Sequence, residues 1–308
     1  MDDKRNKNWF FLLNNYFNLL FIIFILSIIS IFSSCERDVE IELPKDENYV
    51  VIEGFIEAGE YPRVLVTRNR GFFDPNPLDL NDLINKFFLK NADVQISDGT
   101  KSVKLFLTID LQKYPYAYYT TNEMKGESGK SYTLKVSVDG KELSSVTQVP
   151  QPVSLDSLYF RLNIFDKEED SLGFVFARLT DPPGLGNGYR IYSKTSSLAD
   201  YFPIRDSEFN DQFVDGLSFE FFNQKSISPI QNLDSLKDKD RLYTFGDTAF
   251  IKFCSMGWKE VEFFRTLSVA INSNGNPFSS PVIVKSNIVG GLGVWYGMAA
   301  SYDTLIVK

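Results

Sequence analysis

The chain contains no histidine and only two cysteines, Cys35 and Cys254. The first absence removes Ser-His-Asp and Cys-His catalysis, HExxH zinc sites and histidine-ligated haem. No S-x-x-K tetrapeptide occurs either, so the Ser-Lys nucleophile pattern is missing. Bases are in the minority, 32 Lys+Arg against 40 Asp+Glu, for a formal charge of −8. An acidic surface repels phosphate backbones, which argues against nucleic acid as a partner. No apolar run reaches the roughly 20 residues of a membrane helix. Aromatics, by contrast, are plentiful: 28 Phe and 15 Tyr supply ample material for a packed core.

The N-terminus has three parts. Lys4, Arg5 and Lys7 give a positive start, Leu19 to Phe32 form an apolar run broken only by Ser27 and Ser30, and Ser33-Ser34-Cys35 follow. Such a run fits a signal-peptide core. Small residues before a cysteine let a signal peptidase close on the chain and place the thiol for diacylglycerol transfer. Phe32, Ser33, Ser34 and Cys35 therefore read as a lipobox, with Phe32 standing where Leu is usual. The expectation is that residues 1–34 are removed and Cys35 carries a covalent lipid, with no other cofactor. Cys254 then has no intrachain partner, which excludes a disulfide scaffold. The competing reading is an uncleaved signal anchor extended by Trp9 to Leu13, an extension that Asn14, Asn15 and Asn18 interrupt. Residues 35–48 form an acidic tether. Glu36, Asp38 and Glu40 are read as a surface-export signal, although a solvated linker has the same composition.

From Tyr49 the period becomes two. Ala92, Val94 and Ile96 alternate with polar residues, Asp98-Gly99 turns the chain, and Val103, Leu105 and Leu107 alternate back. The pattern recurs at Tyr132, Leu134, Val136 and Val138 before Asp139-Gly140. Asp-Gly between alternating runs predicts hairpins with type I′ turns, since glycine readily takes positive φ. With strands near 49–57, 62–68 and 116–121, residues 49–150 predict an immunoglobulin-like β-sandwich of about seven strands. One short helix is expected within 77–88. Pro150-Gln151-Pro152 marks a boundary, because proline ends ladder pairing. Residues 151–308 predict a second β-rich, sandwich-like domain. Its strands are placed near 155–163, 172–180, 188–194, 218–223, 242–253, 282–285 and 301–307. An amphipathic helix near 258–271 carries Phe263, Phe264, Leu267, Ala270 and Ile271 on one face. The fold class is thus all-β.

Motifs that suggest chemistry dissolve on inspection. Gly129-Lys130-Ser131 lacks the earlier glycine of a phosphate loop, and Gly184, Gly186 and Gly188 precede a strand rather than a helix, so both are turns. Asp166, Glu168, Glu169 and Asp170, or Asp234, Asp238 and Asp240, offer oxygens for calcium but lack EF-hand spacing, and no metal is assigned. Cys254 follows an apolar stretch and reads as a buried thiol. Aromatic side chains remain as binding candidates: Tyr116 and Tyr118, among the tyrosines around Pro115, and Trp295 between glycines. The competing reading for each is an ordinary place in the core.

Five segments together resemble a known family: the SSC lipobox, YVVIEGFIEAGEYPRVLVTR (49–68), SYTLKVSVDGKELSS (131–145) with VPQPVSLDSLYF (149–160), DPPGLGNGYRIY (181–192) and NGNPFSSPVIVKSNIVGGLGVWYG (274–297). In this order they are similar to the DUF4249 lipoproteins of Bacteroidota, over nearly the whole mature chain. The resemblance implies an all-β lipoprotein of the outer membrane, often encoded beside a TonB-dependent receptor of the starch-utilisation type, and the acids after Cys35 give the expectation that it faces the cell exterior. It carries no catalytic residues. The expected function is therefore a non-enzymatic accessory to such a receptor in nutrient capture. A carbohydrate- or peptide-active enzyme working through paired carboxylates, or a structural or adhesive envelope component, is the alternative.

Overall fold

Sixteen strands and two α-helices follow one another in the computed structural model, which describes residues 49–69, 79–111, 114–163, 171–228, 237–273 and 282–308. The lipobox residues Phe32, Ser33, Ser34 and Cys35, the tether acids Glu36, Asp38 and Glu40, the 166–170 acids and Asp234 lie outside the described residues. The expected all-β, sandwich-like architecture is what the chain forms.

The first seven strands are β1 (Val50–Glu57), β2 (Arg63–Arg68), β3 (Asp93–Ser97), β4 (Ser102–Ile109), β5 (Ala117–Thr120), β6 (Ser131–Val138) and β7 (Lys141–Gln148). Alternation explains each one: in β6, for example, Tyr132, Leu134, Val136 and Val138 are buried and the residues between them are not. Two layers arise because β4 changes partner midway. Val103 and Leu105 pair with β3, whereas Phe106 to Ile109 pair with β5. Between the layers lies a core that includes Ile52, Ile56, Val94, Leu134 and Trp295. Helix α1 (Leu80–Phe87), within the expected 77–88, is capped by the Asp79 carboxylate, which accepts from Asp82 N at 2.9 Å.

The two Asp-Gly turns differ. Asp139 and Gly140 both take positive φ, 51° and 74°, in a two-residue turn closed by Val138 opposite Lys141. At Asp98-Gly99, Ser97 instead pairs with Ser102, so the loop holds four residues. There the Asp98 carboxylate accepts from Thr100 N and Lys101 N, and those bonds override the shorter turn.

The later strands are β8 (Ser157–Leu162), β9 (Leu172–Thr180), β10 (Asn187–Lys194), β11 (Phe202–Pro203), β12 (Phe209–Asn210), β13 (Ser218–Asn223), β14 (Tyr243–Thr244), β15 (Thr248–Gly257) and β16 (Leu292–Ile306). Three expectations are corrected here. The 242–253 strand is interrupted around Gly246, whose φ is +90°, and 282–285 is not a strand. The last strand begins at Leu292, well before the expected 301. Strands β8, β9, β13 and β14 form a small sheet, which packs a second core (Val175, Leu179, Tyr189, Ile251, Phe253) against β10 and β15. β15 and β16 pair antiparallel, and β16 pairs parallel with β1. One twelve-stranded sheet therefore runs through both halves of the sequence, and Glu47–Lys308 forms a single compact unit.

Strand parity decides which side chains share a face. Ile52 and Ile56 of β1, Trp295 and Ala299 of β16, Ile191 of β10 and Ile251 and Phe253 of β15 point to the two cores. The residues between them point the other way. Helix α2 (Trp258–Ser273) covers part of that opposite face, with Val261, Phe263 and Phe264 against Met256, Val294, Tyr296 and Met298. Its last turns leave the sheet: Ile271, expected on the apolar face, is 64% exposed.

Candidate functional site

Beside α2, the open face of the large sheet is hollowed into a cleft of about 380 Å³. Its floor is built by alternation. β1 contributes Glu53, Phe55 and Glu57, β10 Arg190 and Tyr192, β15 Lys252, and β16 Tyr296, Met298 and Tyr302. Register aligns them: Tyr192 lies opposite Lys252, Lys252 opposite Tyr302, and Phe55 opposite Tyr296. Tyr61, Arg63, Tyr114, Pro115, Tyr201 and Phe202 raise the walls. The cleft is thus lined mainly by rings and charges (a mixture typical of ligand sites).

Most of the floor charges are paired. Lys252 Nζ lies 2.6 Å from Glu57 Oε2, with side-chain exposures of only 13% and 5%, and Tyr302 donates to Glu57 Oε1 at 3.1 Å. Burial disfavours the Lys252 ammonium, but Cys254 and Tyr302, which ionise only in alkali, and the Glu57 carboxylate outweigh it and raise its pKa above the ordinary lysine value. Arg190 Nε meets Glu208 Oε1 at 2.9 Å, while its guanidinium carbon lies 3.6 Å from the Phe264 ring centroid. The hydroxyls of Tyr192 and Tyr296 bond each other, and burial raises both pKa values.

Glu53 is the exception. Its side chain opens onto the cleft, yet the protein around it displaces enough water to raise its carboxyl pKa, against a smaller opposing pull from Arg190. Among the described residues no hydrogen bond or ion pair reaches that carboxylate. Nearby, burial first and the Glu53 charge second push the Tyr114 hydroxyl up to about 12.

The Tyr114-Pro115 wall also borders an apolar groove of about 350 Å³ between α1, β2 and β5. Tyr116 lines that groove, and Tyr118 lies under the Arg63 guanidinium at 5.3 Å, so neither lines the cleft. Of the tyrosines around Pro115, Tyr114 is the member that lines the cleft. Trp295 is corrected as a binding residue. It is fully buried, its Nε1 donates to the Tyr132 carbonyl at 3.1 Å, and its ring seats over Gly54, where a Cβ would approach within 3.0 Å. Glycine here lets the ring enter the core and does not present it to solvent. Cys254 is buried, and burial pushes its thiol up to about 12.

A second polar cluster closes the turn before β10. Asp181, Asp211 and Asp215 place carboxylate oxygens within 4.8 Å of one another, a spacing able to hold a cation. Those oxygens already receive donors. Asp211 accepts from Gly186 N, Asn187 N and Trp258 Nε1, Asp215 from Gly184 N, and Asp181 from Tyr189 Oη and Gly216 N. The glycine turn at 184–188 is therefore held by carboxylates. Among the described residues, no helix is long and apolar enough to cross a membrane.

The family model described as "Domain of unknown function (DUF4249)" matches residues 36–302. No curated protein matches the chain. Three segments that carry the family resemblance also build the cleft: 49–68 supplies Glu53, Phe55 and Glu57, 181–192 supplies Arg190 and Tyr192, and 274–297 supplies Tyr296.

Proposed function

The chain belongs to the DUF4249 family, and from that premise we propose that it is a lipid-anchored, non-enzymatic ligand-capture protein of the outer membrane, working as an accessory to a TonB-dependent receptor. The observation that carries this reading is the cleft: rings and committed charges form a recess of about 380 Å³, a size suited to a small molecule. The lipobox at Ser33-Ser34-Cys35 and the acidic tether support attachment at the cell exterior. Lipid chains contribute about 0.8 kcal/mol per buried CH₂, so two or three of them hold the protein at the membrane. Tethering then raises the effective concentration at a receptor, and modest affinity suffices for the complex.

The test is a mild-detergent pull-down of the full-length protein from its native membranes, followed by mass spectrometry. A stoichiometric TonB-dependent receptor supports the reading, and recovery of the protein alone counts against it. Cys35→Ala should abolish palmitate labelling; persistent labelling would remove the anchor. One feature favours the enzymatic alternative, the raised carboxyl of Glu53 in an open cleft. A paired-carboxylate mechanism needs a second acid, however; on the floor Glu57 is bound by Lys252 and Tyr302, which leaves that role to the rim acids Glu60 and Asp200. Release of products from an oligosaccharide or peptide by the purified protein, lost in Glu53→Gln, would overturn the non-enzymatic reading.

A further inference from the structure

Resting on the ligand-capture reading, we propose that the cleft selects small molecules bearing a protonated amine, with Glu53 as the carboxylate that receives the ammonium and the Tyr114 and Tyr201 rings as walls for the apolar body. Charge bookkeeping on the floor points this way. Lys252 is paired with Glu57, and Arg190 with Glu208, which lies outside the cleft lining, so Glu53 is the floor acid that no ion pair reaches, with Arg190 pulling on it only at longer range. At the rim, Glu60 and Asp200 stand against one base, Arg63, which rests on the Tyr118 ring. A ligand anion would meet an uncompensated carboxylate and would have to compete with Glu57 and Glu208 for their cations. An ammonium supplies the missing charge at the position where it is missing.

The rings fit the same ligand. Tyrosine faces attract cations through their quadrupole, and they offer apolar area to a flat or aliphatic body. Tyr201 is braced edge-on against Tyr302 at 5.8 Å and Tyr114 leans on Phe202 at 6.2 Å, so both walls are positioned before any ligand arrives. The raised carboxyl of Glu53 is consistent with the same account: loss of water outweighs the pull of Arg190 and makes the acid hold its proton more tightly, and an arriving ammonium reverses that. A neutral polyol would make the opposite demand, since it gains most from a protonated, hydrogen-donating Glu53.

Isothermal titration calorimetry on the full-length protein in mild-detergent micelles separates these cases. The probes are phenethylamine, its neutral N-acetyl derivative, the dipeptide phenylalanylglycine, and maltotriose. Phenethylamine or the dipeptide should bind at least about tenfold tighter than the acetylated probe at pH 8, the scale of one charge-assisted hydrogen bond. Whichever of the two binds tighter distinguishes a free amine from a peptide terminus as the source. The preference should fall as the pH drops through the raised Glu53 pKa and should vanish in Glu53→Gln. Equal or tighter binding of maltotriose or of the acetylated probe overturns the proposal. So does an undiminished preference in Glu53→Gln, or no amine binding up to about 10 mM. If the receptor still co-purifies in the pull-down, such a failure falls on the amine assignment alone.

Discussion

Replacing Lys252 by methionine tests whether the cleft floor is as dry as its geometry implies. Methionine keeps most of the side-chain length and removes the ammonium, leaving Glu57, 4% exposed, with the Tyr302 hydroxyl as its one side-chain partner among the described residues. Breaking a buried ion pair by deleting one member costs about 3–5 kcal/mol, and the open cleft favours the lower end, about 3 kcal/mol. For a unit of this size that corresponds to a fall in Tm of roughly 6–12 °C. The double variant Lys252→Met/Glu57→Leu should recover most of the loss, to within about 1–2 kcal/mol of wild type, because no charge is left stranded. Linkage adds a sign. The Lys252 pKa is raised on folding, so its contribution is constant below the unfolded value of about 10.4 and disappears as the pH climbs toward the folded value. Wild type should therefore lose stability in strong alkali more steeply than Lys252→Met. The assay is urea unfolding followed by circular dichroism, from pH 6 upward. A cost below about 1 kcal/mol, the range of exposed pairs, would mean that water reaches the floor, and the charge argument built on Glu53 would fall with it.

Three further outcomes follow from the same structure. Glu53→Gln should raise Tm at pH 7 and leave it unchanged near pH 3: a raised carboxyl pKa means that the folded state holds the extra proton, so stability falls as pH rises from the unfolded value through the folded one. A lower Tm at pH 7 would show that Glu53 has a stabilising partner. Trp295→Ala should cost about 3–5 kcal/mol in chemical denaturation, since the indole is fully buried and bonded to Tyr132; a cost under about 1 kcal/mol would refute its place in the core. Cys254 should resist a thiol reagent at pH 8 in the native protein and react at once in denaturant, because the thiolate is the nucleophile and burial raises the thiol to about 12. Rapid native labelling would contradict that burial.

The elements were legible in the sequence, but the site was not, and the reason lies in how a sheet assembles. A strand announces itself locally: buried residues two apart disclosed β1, β3, β6 and β7, and Asp139-Gly140 disclosed its turn. The Asp98 loop was misread because a carboxylate reaching two backbone N–H groups lies beyond what a dipeptide signal reports. The β-rich pattern also could not show that β16 lies parallel to β1, a pairing between the first and last strands of the described residues. That pairing creates the cleft. Glu57 meets Lys252 across 195 residues and Tyr302 across 245, so neither contact leaves a trace in any local window. A signal did exist in the outward positions of strands already recognised: Glu53, Phe55 and Glu57, Arg190 and Tyr192 are heavy charges and rings where a merely solvated face needs only small polar residues. Alternation reveals what each strand buries. Applied to what these strands leave outside, it would have named half the floor before the fold was known, and only the register between β10, β15, β16 and β1 would have remained for the structure to supply.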